Sequence, residues 1–500
     1  MFTAPDPGRL RLRNATRAVA GVGLAVAAAE TAGLSLTASI TGGLAALLAL
    51  FTVTDATVRA QAVTTALLPA AGLPVLALAA TLHGVPLVRD TVILLIVFAG
   101  VYARRWGPRG HALGIFAFMM CFVTQFLHAV PAQLPELCAA GGLALAAAAL
   151  VRFVLWPIER AAPPAPVPPP LPGTGLARPT TRQAFQTTAA CALALALGQL
   201  LSDERWYWAV GTAWWIFVNT VSRGETLIRG FRRVLGTVVG VVVGVLIAIP
   251  LQGDPAPTAA LVALCVFGIF YTAAVSYSWM VVAVTLMAGL LYGLLGVLDP
   301  GLLVLRLQET AIGAAGAALA VILVLPVTTH ATNDVWIQRA LRCVRASAAA
   351  SLKRLSGDAG ADPAPHIAEL ELLLGRVRLS LAPLVHPLSP YRARKARARR
   401  VLALLDECAR ELRGLVAVAA VPETGHDTRL TAAWERVETA VEALTSPGTG
   451  PARRSPASAV PHPAPAADGP ALTHVRGLER LLSELIEPLR TPPTAPLAGS

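Results

Sequence analysis

The segment RGFRRVLGTVVGVVVGVLIAIP, residues 229–250, places three arginines at the start of an otherwise uncharged apolar run. Glycine recurs at every fourth position in it, at Gly236, Gly240 and Gly244. On an α-helix this spacing puts the three glycines on one face, where the backbone of a neighbouring helix can approach closely. The arginines can stay with water and lipid headgroups. The segment therefore predicts a membrane-spanning helix with a basic anchor at its start.

Composition extends this prediction to most of the chain. Of its 500 residues, 55% are hydrophobic and 14% are charged, and the mean hydropathy is +0.62. These proportions are typical of an integral membrane protein. The net charge of +12 follows arginines at the edges of apolar runs, so it does not predict nucleic-acid binding. The six cysteines show no metal-ligand spacing, so we expect small apolar core residues, with no metal and no cofactor.

Twelve apolar runs divide into six on each side of the proline-rich segment 161–175. The runs fall at 16–34, 36–53, 60–82, 90–103, 110–128 and 136–156, and then at 183–201, 206–222, 234–251, 258–276, 279–298 and 307–326. We therefore expect an all-α membrane protein of about twelve transmembrane helices. A first six-helix repeat would cover 1–157, a cytoplasmic linker 158–181 and a second repeat 182–327.

The two halves also resemble each other. VILLIVFAGVY, which ends at Tyr102, aligns with ALVALCVFGIFY, which ends at Tyr271. This similarity indicates an internal duplication, and six crossings per half would make the repeats parallel. The alternative is a chance alignment of two stretches rich in leucine, valine and alanine.

Arginines predict the orientation. Sixteen arginines from Arg9 to Arg233 fall in segments on the same side of the membrane as the N-terminus. Only Arg89, Arg205 and Arg306 fall on the opposite side. The positive-inside rule then places both termini of this multi-pass protein in the cytoplasm.

Beyond the last apolar run, leucines at helical spacing among charges predict a cytoplasmic helical domain over 328–444. A disordered linker over 445–470 and a C-terminal helix over 471–490 would follow. The basic run from Arg392 to Arg400 could bind anionic lipid, and a solvated helix face is the alternative.

Motifs for common enzymes are missing: the sequence contains no GxxxxGK[ST], GxSxG or HExxH, and no dinucleotide fingerprint after a strand. We therefore expect transport or permeation rather than catalysis, and polar residues near the spans become the candidate site. Glu309 begins the last span, and Arg306 lies three residues earlier on the same helical face. Glu309 is a candidate proton-coupling carboxylate, and an interfacial ion pair with Arg306 is the alternative.

The loop FVNTVSRGETLIRGFRR, residues 217–233, offers further candidates. Asn219, Arg223 and Arg229 could contact an organic anion, since the planar guanidinium fork suits a carboxylate, and Glu225 could be a second coupling carboxylate. An ordinary cytoplasmic loop with positive anchors is the competing interpretation.

Four tryptophans occupy RWYWAVGTAWWIFV, residues 205–218. Trp206 and Trp208 are expected as anchors in the aromatic belt at the outer interface. Trp214 and Trp215 lie deeper, where they could stack against an aromatic substrate or pack against lipid.

These motifs resemble the fusaric acid resistance family, which includes aromatic acid exporters, most closely over about 180–327. The residues that carry the resemblance are Tyr207, Trp208, Arg229, Arg233, Gly236, Thr237 and Gly240. The resemblance implies two membrane halves, a cytoplasmic helical region and the export of small organic acids.

The sequence thus indicates a permease for small organic, including aromatic, acids, driven by proton exchange. A passive organic-anion channel would share the fold, and a membrane scaffold or sensor would act through residues 331–490. Membrane lipids and a small organic anion are the expected partners, a homo-oligomer is left open, and nucleic acid is not expected.

Overall fold

A computed structural model describes residues 9–154, 175–220, 222–251, 253–325, 329–358, 360–385, 392–419, 428–445 and 469–490. Every regular element in these ranges is helical. The chain forms two compact units, residues 1–327 and 328–500, which we call the membrane unit and the C-terminal unit. Most of the predicted linkers 158–181 and 445–470 lies outside the described residues. So does part of the basic run, because the side chains of residues 392–395 are not described.

The membrane unit contains a helix at each of the twelve predicted runs. Its first half comprises α1 (Leu10–Thr31), α2 (Leu36–Thr52), α3 (Val58–Thr81), α4 (Pro86–Tyr102), α5 (Gly107–Phe126) and α6 (Leu134–Val154). Its second half comprises α7 (Pro179–Leu201), α8 (Tyr207–Phe217), α9 (Arg223–Leu251), α10 (Pro255–Ala273), α11 (Tyr277–Leu294) and α12 (Pro300–Leu323).

These helices differ in whether their length and apolar composition would let them cross a bilayer. Eight segments of the described chain are long and apolar enough, and one of them, Pro86–Phe126, contains both α4 and α5. Helix α2 is a shorter apolar helix of 17 residues. Helix α8 has 11 residues and therefore extends only about 16 Å, against the ~30 Å of a hydrocarbon core. The predicted span over 206–222 is thus a half-length helix, which ends before Asn219 in a left-handed conformation (φ 62°).

Helix pairing follows the same pattern in both halves. Within the first half, α1 packs on α2 and α6, α2 on α6, α3 on α5 and α6, and α4 on α5. The corresponding six pairs, α7 to α12 in place of α1 to α6, also pack together. The halves meet reciprocally, because α1 packs on α10 and α4 packs on α7. The fourth helix of each half thus contacts the first helix of the other.

The glycine face of α9 packs closely on α11, as the opening segment predicts. A Cβ atom at Gly236 would lie 2.6 Å from the carbonyl oxygen of Ser278, and one at Gly240 would lie 2.6 Å from the Cβ of Thr285. Thr237, beside them, is buried. At Gly244 the nearest atom would be 3.8 Å away, an ordinary contact. Two of the three glycines therefore permit the close approach.

The C-terminal unit is a group of amphipathic helices: α13 (Thr329–Leu355), α14 (Ala364–Val385), α15 (Arg392–Ala419), α16 (Thr428–Thr445) and α17 (Pro470–Arg490). Buried leucines at helical spacing, such as Leu405, Leu412 and Leu482, form its core. Part of the basic run makes contacts within the C-terminal unit. Arg397 donates to the carbonyl oxygen of Pro488, and Arg400 forms a 3.5 Å salt bridge with Glu484.

Candidate functional site

Two groups of polar and aromatic side chains lie at opposite ends of the short helix α8. The first, which we call the tyrosine cluster, comprises Tyr207, Trp208, Tyr292, Arg205 and Arg306 at the beginning of α8. The second, which we call the arginine cluster, comprises Arg104, Arg229, Arg233 and Tyr277, and reaches the end of α8 through Phe217. Because α8 is short, loop and helix residues from both halves can reach its two ends.

The tyrosine cluster is centred on the hydroxyl group of Tyr292. The hydroxyl of Tyr207 lies 3.0 Å from it, and the indole Nε1 of Trp208 donates to it at 2.6 Å. Arg205 donates through Nη1 to Tyr207 Oη at 3.3 Å. The guanidinium carbon of Arg306 lies 3.5 Å from the centroid of the Trp208 ring, which is a cation–π contact. The cluster thus joins α8, α11 and α12.

Two phenylalanines of the first half complete the tyrosine cluster. The Phe122 ring lies edge-on to Trp208 with centroids 4.9 Å apart, and the Phe126 and Tyr292 centroids are 5.0 Å apart. Edge-to-face and offset rings at such separations attract each other beyond simple burial. Helix α5 of the first half is therefore held against the second half by aromatic contacts.

The predicted belt anchors Trp206 and Trp208 are buried, with 2% and 8% of their surface exposed. The guanidinium carbon of Arg89 lies 4.6 Å from the Trp206 ring centroid, while Arg306 and Tyr292 hold Trp208. The expectation of an interfacial belt is therefore wrong for this pair, because protein groups satisfy these rings.

Glu309 is fully buried in α12, with 0% of its surface exposed. Neither carboxyl oxygen has a hydrogen-bond partner in the described part of the chain, and the same holds for Nε and Nη1 of Arg306. The interfacial ion pair that the sequence allowed is not formed, since Arg306 turns to Trp208. A buried carboxyl without a hydrogen-bond partner in the described chain is a candidate proton-binding group.

The arginine cluster surrounds the Tyr277 side chain at the start of α11. The guanidinium carbon of Arg229 lies 4.0 Å from the Tyr277 ring centroid, and Arg233 Nη1 donates to Tyr277 Oη at 3.1 Å. Arg104, which follows α4, donates through Nη1 to the carbonyl oxygen of Phe217 at 3.0 Å. Arg104 and Arg229 lie close enough to interact electrostatically. One cation of the first half thus meets two of the second.

Several donors of the arginine cluster have no partner among the described residues. They are Nε and Nη2 of Arg104, Nε of Arg229 and Nε of Arg233, all buried. In the described ranges, none of these three guanidinium groups forms a salt bridge with a carboxylate. Unpaired guanidinium donors in a buried place suit the oxygens of a carboxylate or phosphate.

The residues predicted as substrate contacts divide between this cluster and other places. Asn219 is exposed, and its Oδ1 lies 3.1 Å from His111 Nε2. Arg223 is exposed and Glu225 half-buried in the first turn of α9. Of the substrate contacts predicted in this loop, only Arg229 belongs to the arginine cluster.

The two deeper tryptophans, Trp214 and Trp215, differ in their burial and in their neighbours. Trp214 is fully buried, stacks on Phe118 with centroids 4.3 Å apart, and has the guanidinium carbon of Arg104 5.9 Å from its own centroid. Trp215 is half-buried and lies edge-on to Phe51 at 6.2 Å. Trp214 therefore borders the arginine cluster and Trp215 does not.

Sequence reasoning missed four residues of these clusters, Arg104, Arg205, Tyr277 and Tyr292. Arg104 resembles any other basic anchor after an apolar run, and Tyr277 and Tyr292 resemble ordinary interfacial aromatics. The predicted duplication could have drawn attention to Arg104, since the end of α4 would meet the other repeat.

These features define a multi-pass helical membrane protein with buried charged groups between its two halves, an architecture consistent with a transporter. The family model described as fusaric acid resistance protein-like matches residues 192–321, from within α7 to within α12. This match confirms, for residues 192–321, the family resemblance that the motifs of this segment indicate. A comparison with curated proteins finds no match.

Proposed function

We propose that the protein is a permease that exports small organic acids, aromatic acids among them, across a bacterial cytoplasmic membrane in exchange for protons. The observation that carries this proposal is the buried carboxyl of Glu309, without a hydrogen-bond partner in the described chain, one turn from the equally buried Arg306. An ionisable group kept at membrane depth is costly, at least ~2.5 kcal/mol for a charged residue on insertion scales, so its retention favours a functional role.

In this mechanism Glu309 takes up and releases the coupled proton. Arg229 is the principal contact for the anion at the other end of α8. Asn219, Arg223, Trp214 and Trp215 are further candidate contacts, and Glu225 is a second candidate coupling carboxylate.

The proposed topology has twelve crossings in two parallel repeats with both termini and residues 328–444 in the cytoplasm. Six helix pairs that recur in both halves support the duplication. The distribution of arginines supports the orientation. We propose no enzymatic activity and no cofactor. Anionic lipid at the basic run and a homo-oligomer remain part of the proposal.

Inverted membrane vesicles test the proposed function. With the membrane potential clamped at zero by valinomycin and equal potassium, an acidic lumen expels a passively distributed weak acid, so accumulation of radiolabelled benzoate in such a lumen requires coupled export. We expect accumulation only with the protein present, and its collapse when a protonophore is added. Flux that equilibrates without a gradient would indicate a passive channel instead.

The variant Glu309→Gln tests whether Glu309 is needed for proton coupling or for the movement of benzoate itself. It should abolish gradient-driven accumulation and retain exchange of labelled for unlabelled benzoate, because glutamine imitates the protonated carboxyl and cannot release a proton. Glu204→Gln, on an exposed loop residue, is the matched control and should accumulate benzoate normally. Normal accumulation by Glu309→Gln would remove Glu309 from the mechanism.

A further inference from the structure

Guanidinium groups from both halves of the membrane unit converge in the arginine cluster. Arg229 and Arg233 lie one turn apart on α9, so both project from one face of that helix. Arg104 comes from the short turn after α4 and approaches them from the first half. Arg233 is 7% exposed, and its Nε has no hydrogen-bond partner in the described chain. The arrangement therefore depends on residues that lie far apart in the sequence.

Electrostatics make this arrangement unfavourable unless an anion joins it. Two like charges repel strongly where water is scarce, and the described chain places no carboxylate in salt-bridge contact with these arginines. The Tyr277 ring face and hydroxyl offset part of this repulsion for Arg229 and Arg233. Arg104 instead contacts the Phe217 carbonyl and the Trp214 ring. Its Nε and Nη2 have no hydrogen-bond partner among the described residues.

We propose that Arg104, Arg229 and Arg233 together bind one oxoanion, with Arg104 as the contribution of the first half. The anion is the carboxylate of a transported acid or the phosphate of a lipid headgroup, since both present oxygens to a guanidinium fork. The carboxylate assignment rests on the proposed function, whereas the anion site does not. Tyr277 is a positioning residue, because it touches the two arginines of α9.

Binding of benzoate to the purified full-length protein tests the site. Benzoate should raise the melting temperature of the wild-type protein and titrate with a measurable Kd, while benzamide, which has the same ring without the charge, should have no effect. Arg104→Gln and Arg229→Gln should each weaken benzoate binding about tenfold or more, because a charge-assisted contact is lost.

Arg232→Gln is the matched control. Arg232 is adjacent to Arg233 but exposed, so this variant removes the same charge without touching the cluster. Arg104→Lys keeps the charge and loses the fork, and should bind with intermediate affinity. Arg229→Gln guards against misfolding of Arg104→Gln, because Arg104 but not Arg229 donates a hydrogen bond to the Phe217 carbonyl that ends α8. Wild-type affinity in folded Arg104→Gln and Arg229→Gln would overturn the proposal.

Native mass spectrometry distinguishes the two sources of the anion. Phosphatidylglycerol retained by the wild-type protein and by Arg232→Gln, but lost from Arg104→Gln, would identify a lipid phosphate as the occupant and support the site. If neither benzoate nor phosphatidylglycerol binds in a manner that depends on Arg104, the site is wrong. Neither result depends on a proton gradient or on Glu309, so failure here is distinguishable from failure of coupled transport.

Discussion

The hydroxyl groups of Tyr207 and Tyr292 lie 3.0 Å apart, although 85 residues separate them in the chain. This contact joins the first residue of α8 to the last turn of α11. The same Tyr292 hydroxyl accepts a hydrogen bond from Trp208 Nε1. One phenol group thereby fixes both residues of the Tyr207–Trp208 pair that marks the family resemblance.

Removal of this phenol group should destabilise the membrane unit. Tyr292→Phe keeps the ring but leaves Trp208 Nε1 without its acceptor and Tyr207 Oη with only Arg205, and an unpaired buried polar group costs about 1–3 kcal/mol. The free energy of unfolding in a detergent titration should fall by that amount. Tyr271→Phe, at a 36% exposed position, is the control and should change little. Equal stability of the two variants would show that the hydrogen bonds at Tyr292 contribute nothing.

Alanine substitutions of the α9 glycines should show whether close packing or helix propensity dominates the effect of each glycine on stability. A Cβ at Gly236 would meet the carbonyl oxygen of Ser278 at 2.6 Å, and one at Gly240 would meet Thr285 Cβ at 2.6 Å. Gly236→Ala and Gly240→Ala should therefore each destabilise the protein by about 1–3 kcal/mol, despite the better helix propensity of alanine. Gly244→Ala, where the nearest atom would be 3.8 Å away, should be neutral or stabilising. Thermal unfolding measures all three, and a stabilised Gly236→Ala would contradict the close approach of α9 and α11.

Acid should weaken the protein through His128, which follows the end of α5. Burial lowers the pKa of His128, the charge of Arg205 and the neighbouring His83 lower it further, and Glu204 opposes them. Since the folded-state pKa lies below the unfolded value of about 6.5, the unfolded chain takes up a proton that the folded chain resists. The stability is therefore complete above pH ~6.5 and is lost as the pH falls below it.

The variant His128→Asn should reduce this loss. Asparagine tolerates the left-handed backbone at this position (φ 48°) and does not titrate. Unfolding at pH 7.5 and at pH 5 should show a smaller difference for His128→Asn than for the wild-type protein. His366→Asn in the C-terminal unit serves as the control. An unchanged difference in His128→Asn would assign the acid sensitivity to other groups.

Hydrophobic runs locate the helices of this chain well, since a long apolar stretch permits few other structures. They fail at α8, where the run 206–222 contains a half-length helix ended by Asn219, because local composition does not reveal where tertiary contacts stop a helix. Spacing along one helix also predicted the packing role of Gly236 and Gly240 correctly.

The clusters were less predictable, because they depend on which helices meet. Arg229 was singled out from its own loop, but Arg104 and Tyr277, which complete its surroundings, lie far away in sequence. Trp208 was expected at the lipid interface because an isolated sequence shows an amphipathic ring and not the Tyr292 hydroxyl that satisfies it. Gln199 on α7 likewise donates a hydrogen bond to Asp90 on α4 at 2.7 Å, a pairing between helices that the sequence does not show.

Arg152 should prove important for stability, although it resembles a basic anchor in the sequence. It is 6% exposed, and it donates to the carbonyl oxygens of Val53, Ala49 and Leu50 at 3.0, 3.2 and 3.2 Å. These carbonyls lie at the C-terminal end of α2, where few intrahelical donors remain; the Ala49 carbonyl also accepts a long hydrogen bond from Val53 N at 3.4 Å. Arg152→Met should lower the free energy of unfolding by about 2–4 kcal/mol, because charged donors to buried carbonyls are removed. Arg152→Lys should restore only part of the loss, and the exposed Arg59→Met should have no effect. A wild-type melting temperature for Arg152→Met would mean that water or lipid satisfies the end of α2 equally well.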